Sequence, residues 1–159
     1  MPETTTTPQP PRGLSRLMWR LPIFLYKIHL GWLLGDHFLL LNHTGRVSGK
    51  PRQAVLEVIR HDKAEIIYYV TSGFGEKSDW FRNIQKNPDV TIQVGRQHMD
   101  VQATRLSQED AEREFLDYAR RHPTALKNLA GMLGYVLDGS EESLRALAQV
   151  MPIVTFRPR

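Results

Sequence analysis

The sequence predicts an α+β domain, a small β-barrel of about six short, mostly antiparallel strands with flanking helices. Three observations predict it. Runs of alternating or β-branched residues come in sequential pairs, joined by polar turns at His61-Asp62-Lys63 and Gly95-Arg96. Helical periodicity falls before, between and after those pairs instead of following each strand, which argues against a parallel βαβ sheet. The 159 residues, 41% hydrophobic and 24% charged, suit one core of ordinary globular composition.

Each element has its own local signal. Residues 1–11 are Thr- and Pro-rich and lack the apolar side chains for a core, so they read as a disordered arm without a secretory signal. Residues 12–37 read as a helical extension. Leu14, Leu17, Met18 and Leu21 share one helical face while Arg12, Arg16 and Arg20 line another, up to Pro22. The apolar stretch from Leu21 to Leu41 is broken by Lys27, His29, Asp36 and His37. It therefore reads as a docked helix over 23–34 and a strand over 38–41 more readily than as a membrane span, which needs about 20 apolar residues. A basic amphipathic helix can also lie on a lipid surface.

From 38 to 159 the chain reads as the barrel itself, a single domain. Residues 53–60 and 65–71 form one hairpin; residues 90–94 and 98–105 form another. Between them Ser78 is placed to cap a helix over 79–86, stopped by Asn87-Pro88. Ser107 opens a helix to about Arg121, with Phe115 and Leu116 inward and Glu109, Asp110, Glu112, Glu114 and Asp117 on a solvated face. A helix over 123–137 and another from Ser140 follow, and residues 152–156 close as a strand.

Composition narrows the chemistry. Without cysteine the chain has no thiolate nucleophile or metal site of its own, so redox chemistry needs a borrowed cofactor, and a cytoplasmic setting, peripheral to the membrane if the basic helix binds lipid, is expected. Residues 12–60 hold eight Lys or Arg against two acids, which suits an anionic ligand or surface. No nucleic-acid motif accompanies the charge. The six histidines lack zinc-helix spacing, and no metal is assigned.

Two segments could carry that chemistry. Thr44-Gly45-Arg46-Val47-Ser48-Gly49-Lys50-Pro51-Arg52 gathers two glycines, two hydroxyls and three cations between two strands. Glycine lets amides turn toward an anion, and cations supply charge-assisted hydrogen bonds to phosphate. Alone, it is equally a solvated basic turn, and it is not a Walker loop. Thr71-Ser72-Gly73-Phe74-Gly75-Glu76-Lys77-Ser78-Asp79-Trp80-Phe81-Arg82-Asn83 joins a strand end to a helix N-terminus.

In order, the TGRxSGxPR turn, the hairpin ending at Ser72-Gly73, the Lys77/Trp80/Asn83 segment running to Asn87-Pro88 and the C-terminal Pro-Ile-Val strand resemble the deazaflavin-dependent nitroreductase family, over roughly residues 38–159. That resemblance implies a split β-barrel similar to flavin-binding pyridoxamine-phosphate-oxidase barrels, coenzyme F420, and a homodimer burying a sheet face. It implies that Arg46, Ser48, Gly49, Lys50 and Arg52 hold the phosphate and acidic tail. It places Val70, Thr71, Ser72 and Gly73 along the deazaflavin ring, with Lys77, Trp80 and Asn83 completing the pocket. It brings Ser72 near the reactive face; from the residues themselves Tyr69 and Tyr135 are further candidate donors to substrate, although tyrosines of this kind are more often hydrogen-bonded core residues. The implied reaction is hydride transfer to an electron-poor small molecule: a quinone, enone or nitro compound. The helical region from His122 to Tyr135 has one late tyrosine where the nitroreductases line their substrate site with several. Two alternatives stay open: FMN or FAD on the same barrel, and a non-catalytic lipid- or cofactor-binding protein at the membrane surface.

Overall fold

The computed structural model describes residues 3–4, 37–72, 75–132 and 134–159. Its strands are β1 (Glu3–Thr4), β2 (Phe38–Thr44), β3 (Pro51–Asp62), β4 (Ile67–Thr71), β5 (Asp89–Val94), β6 (Gln97–Arg105), β7 (Tyr135–Val136) and β8 (Ile153–Pro158). Its helices are α1 (Asp79–Lys86), α2 (Gln108–Arg121), α3 (Pro123–Met132) and α4 (Glu141–Val150). Six strands close a barrel in the order β2-β3-β4-β8-β6-β5, every pair antiparallel. Closure removes the edges that would otherwise template pairing with another chain. The α+β barrel is thus the expected one, with helices on its flank.

Strand alternation divides the apolar side chains between two cores. Leu39, Leu41, Leu56, Val70, Ile92, Val101, Val154 and Phe156 fill the barrel, where Phe81 and Ile84 of α1 join them. Ile59, Ile67, Tyr69 and Ile153 point outward and pack under Ala111, Phe115 and Tyr118 of α2 and Leu144, Leu147 and Ala148 of α4. Arg60 of β3 forks onto Glu114 of α2 at 3.0 and 2.7 Å and lies 4.0 Å over the Tyr69 ring. Glu114 was expected on a solvated face; the bidentate pair draws it onto the barrel instead.

Several boundaries differ from expectation for identifiable reasons. Strand β2 runs to Thr44, paired with Pro51, so the basic turn shortens to six residues, 45–50. The Asp62 carboxylate accepts from the amides of Ala64 and Glu65, and Ile66 turns left-handed at φ 59°; the turn therefore spans 63–66, and β4 starts only at Ile67. The helix expected to reach 137 ends at Met132. Gly134, at φ 86°, redirects the chain into β7, which pairs with β1. Glu3 and Thr4 thereby leave the expected disordered arm, since main-chain pairing asks for no apolar side chain. Ser107 caps α2 through its hydroxyl as expected, and Ser140 does the same for α4, whereas Ser78 makes no such bond to α1. The extension over 12–36, with its docked or lipid-bound helix, lies outside the described residues.

Candidate functional site

The two segments singled out in the sequence meet at one end of the barrel. On α1 the spacing of Asp79, Asn83 and Lys86 puts all three on the face turned to the 45–50 turn. Asn83 Oδ1 accepts from the Arg46 amide at 3.0 Å and from Arg46 Nη1 at 2.9 Å. Asn83 Nδ2 lies 3.0 Å from His43 Nδ1 on β2, and Lys86 Nζ donates to the Arg46 carbonyl at 2.7 Å. Asp79 stands 3.4 Å from the Arg46 guanidinium. That pair is exposed and adds little.

The turn also closes on itself. Gly45 N donates to Lys50 O, Gly49 N to Gly45 O, and Lys50 N to Ser48 Oγ. Gly49 sits at φ 69°, and a Cβ on Gly45 would meet Ser48 Oγ at 2.5 Å, so both glycines answer backbone demands. The amides of Gly45, Arg46, Gly49 and Lys50 are thus committed to partners within the protein. What the turn presents outward is charge: Lys50 and Arg52 are exposed, and neither side chain has a hydrogen-bond or ion-pair partner among the described residues. Arg52 stands across the ladder from His43.

Of the other expected residues, Val70 and Trp80 go with the barrel core and Tyr69 and Tyr135 with the helix-side core. Val70 points into the barrel, and Thr71 gives its hydroxyl to Pro152 O at 3.2 Å. Ser72, at 0% exposure, lies 2.7 Å from Gly75 O and 2.9 Å from Ser78 Oγ. Its single proton serves the carbonyl, so Ser78 supplies the proton of the second bond. The hydroxyl expected to face a substrate is therefore enclosed and occupied, and Ser78 is diverted from capping α1. Tyr69 and Tyr135 are buried together in the helix-side core, and burial raises the Tyr135 pKa, keeping its hydroxyl protonated. Lys77 is exposed, Trp80 packs against the barrel core, and Gly73 lies outside the described residues. Sequence reasoning missed Asp79 and Lys86 as partners of the turn, although their i, i+4, i+7 spacing with Asn83 was the available signal.

His43 is buried, and its pKa is pushed down to about 4, first by desolvation and then by Arg52, with Asp79 opposing. Unfolded, it takes up a proton near 6.5, so between those values the unfolded chain binds more protons than the folded one. Its contribution is intact above about pH 6.5 and lost as pH falls toward 4, amounting to about 2 kcal/mol at pH 4.5. Urea melts at pH 7 and 4.5 should show wild type losing about that much more stability than His43→Gln. Equal losses would remove His43 as the cause.

The family model described as F420H(2)-dependent quinone reductase matches residues 28–130. The F420H(2)-dependent quinone reductase Rv1261c of Mycobacterium tuberculosis is 34% identical over 82 residues, 52% of this chain and 52% of that protein. Matched stretches span 52% to 63% of the curated relatives' lengths. Among solved structures, an F420-H2 dependent reductase (FDR-A) superposes with TM-score 0.52 at 20% identity, covering 77% of this chain and 96% of that one. A pyridoxamine 5'-phosphate oxidase-related, FMN-binding protein of Nostoc punctiforme gives TM-score 0.55 at 15% identity, covering 92% and 83%. These superpositions show a shared split-barrel fold.

Proposed function

The chain belongs to the F420H(2)-dependent quinone reductase family, and from that premise we propose that it is an oxidoreductase passing a hydride from reduced F420 to an electron-poor substrate, a quinone foremost. The nitro compounds suggested by the nitroreductase resemblance, and enones, rank behind quinones. The observation that carries this reading is the turn 45–50, fastened to α1 by Asn83 and Lys86 and leaving Lys50 and Arg52 exposed.

The donor set fits F420. Its phosphate and acidic tail are anionic, and Lys50 and Arg52 offer cations for them, while Arg46, partly bound by Asn83 and Asp79, keeps the turn in place. F420 supplies the hydride when bound. Ser48 and Gly49 shape the turn, and Lys77 extends the positive surface. Ser72 and Thr71 fix the end of β4 through Gly75 and Pro152, which makes them positioning residues in this reading. Tyr69 and Tyr135 are the proposed hydrogen-bond donors to substrate on the helix side, with Arg60 holding the Tyr69 ring. Membrane-surface contact through residues 12–37 and a homodimer belong to the same proposal; sedimentation with and without liposomes tests both. No helix among the described residues is long and apolar enough to cross a membrane.

Fluorescence anisotropy of F420 titrated with the protein, with FMN and FAD in parallel, should show micromolar or tighter binding of F420 alone. Oxidation of F420H2 should then be faster with quinones than with enones or nitroarenes. Absence of F420 binding overturns the cofactor assignment; binding without turnover of any acceptor supports a cofactor-holding protein in its place.

A further inference from the structure

We propose that Asn83 and His43 are a buried positioning pair that presets the cationic turn, so that cofactor affinity depends on two side chains that touch no ligand. The inference rests on the cofactor-site reading above, and it departs from the family resemblance, which put Asn83 among the pocket residues.

The hydrogen-bond inventory carries the case. Asn83 is 3% exposed. Both groups facing its Oδ1, the amide and Nη1 of Arg46, can only donate, which fixes the amide orientation and fills both lone pairs of the oxygen. Its NH2 therefore faces His43 Nδ1 at 3.0 Å. A donor there requires Nδ1 to be bare, placing the single imidazole proton on Nε2. A doubly protonated His43 would set donor against donor. The charged groups facing this imidazole are Arg52 across the ladder and Asp79 on α1, acting in opposite senses, with Arg46 beyond Asn83. The chain of contacts thus runs from β2 through α1 to the turn, and Lys86 adds a second fastening at the Arg46 carbonyl. A turn already held in its binding geometry loses less freedom when an anion arrives, and affinity rises by that saving.

Asn83→Asp in the full chain separates positioning from contact. A carboxylate still accepts from Arg46 but cannot donate to a bare Nδ1, so the pair survives only when His43 is protonated. In wild type, nitrogen NMR should show His43 as the neutral Nε2–H tautomer from pH 6 to 8, and F420 affinity should be flat over that range. Asn83→Ala should weaken F420 by about tenfold at both pH values. Asn83→Asp should bind within a few-fold of wild type at pH 6 and fall toward the alanine variant at pH 8, with His43 titrating in between. Equal weakening at both pH values would mean that the carboxylate repels the cofactor directly, and it overturns the proposal. So does a wild-type His43 carrying its proton on Nδ1 or titrating near 6.5. The NMR measurements need no cofactor, so they judge the pair even if F420 does not bind.

Discussion

Changing Lys50 and Arg52 together to Ala should weaken F420 binding about 100-fold and leave the barrel folded. Each cation can make a charge-assisted bond worth about 1.5 to 3 kcal/mol, and exposure with salt screening argues for the lower end of that range. Single substitutions should therefore cost about tenfold each, and the two should add unless both grip one phosphate. Neither side chain supports the fold, because both are exposed and neither joins a core cluster. Surface changes of this kind shift stability by about 0.5 kcal/mol or less. Isothermal titration at two salt concentrations checks the charge: wild-type affinity should fall with salt more steeply than that of the double variant. Unchanged affinity in the double variant would reduce the turn to a solvated loop.

Arg46 illustrates what was legible in the sequence and what was not. Its place in a basic, glycine-bearing turn was plain, as was the companion segment beginning at Ser72. That the two segments join through Asn83, which spends its amide on Arg46 and His43, depends on a distance across 37 positions that no local pattern encodes. Period-two alternation in β4 separated Tyr68 and Val70 from Tyr69 and Thr71, but it could not say which set enters the barrel. Closure decided that, putting Val70 inside and Tyr69 beneath the helices. Ser72 shows the same limit in chemistry. A serine at a strand end is equally a catalytic donor or a pin, and no local pattern announces the bonds its hydroxyl makes with Gly75 and Ser78. Tyr135 was misplaced on a helix because its neighbours have helical periodicity, whereas Gly134 dictates the break. The hairpins and the Ser107 cap were readable because each rests on contacts within a few residues, whereas the Ser78 cap and the end of the helix that starts at Pro123 were not.

The two cores make separable demands, and Phe81 tests the separation. At 1% exposure it anchors α1 in the barrel, edge-on to Trp80 with ring centres 6.0 Å apart. Phe81→Ala should lower unfolding free energy by about 3 to 5 kcal/mol, since transfer and cavity costs add. Against a usual total of about 5 to 15 kcal/mol that is a large fraction, visible as a fall in Tm of roughly 6 to 20 °C. Because the same helix carries Asp79, Asn83 and Lys86 toward the turn, loosening Phe81 should also reduce F420 affinity by several-fold. Phe115→Ala removes a ring of equal size and burial from the helix-side core. It should cost similar stability, leave F420 affinity near wild type, and show its effect in the KM for the acceptor, because α2 covers the Tyr69 face. If both variants weaken F420 equally, the turn is held by the barrel as a whole and the special role of α1 is lost.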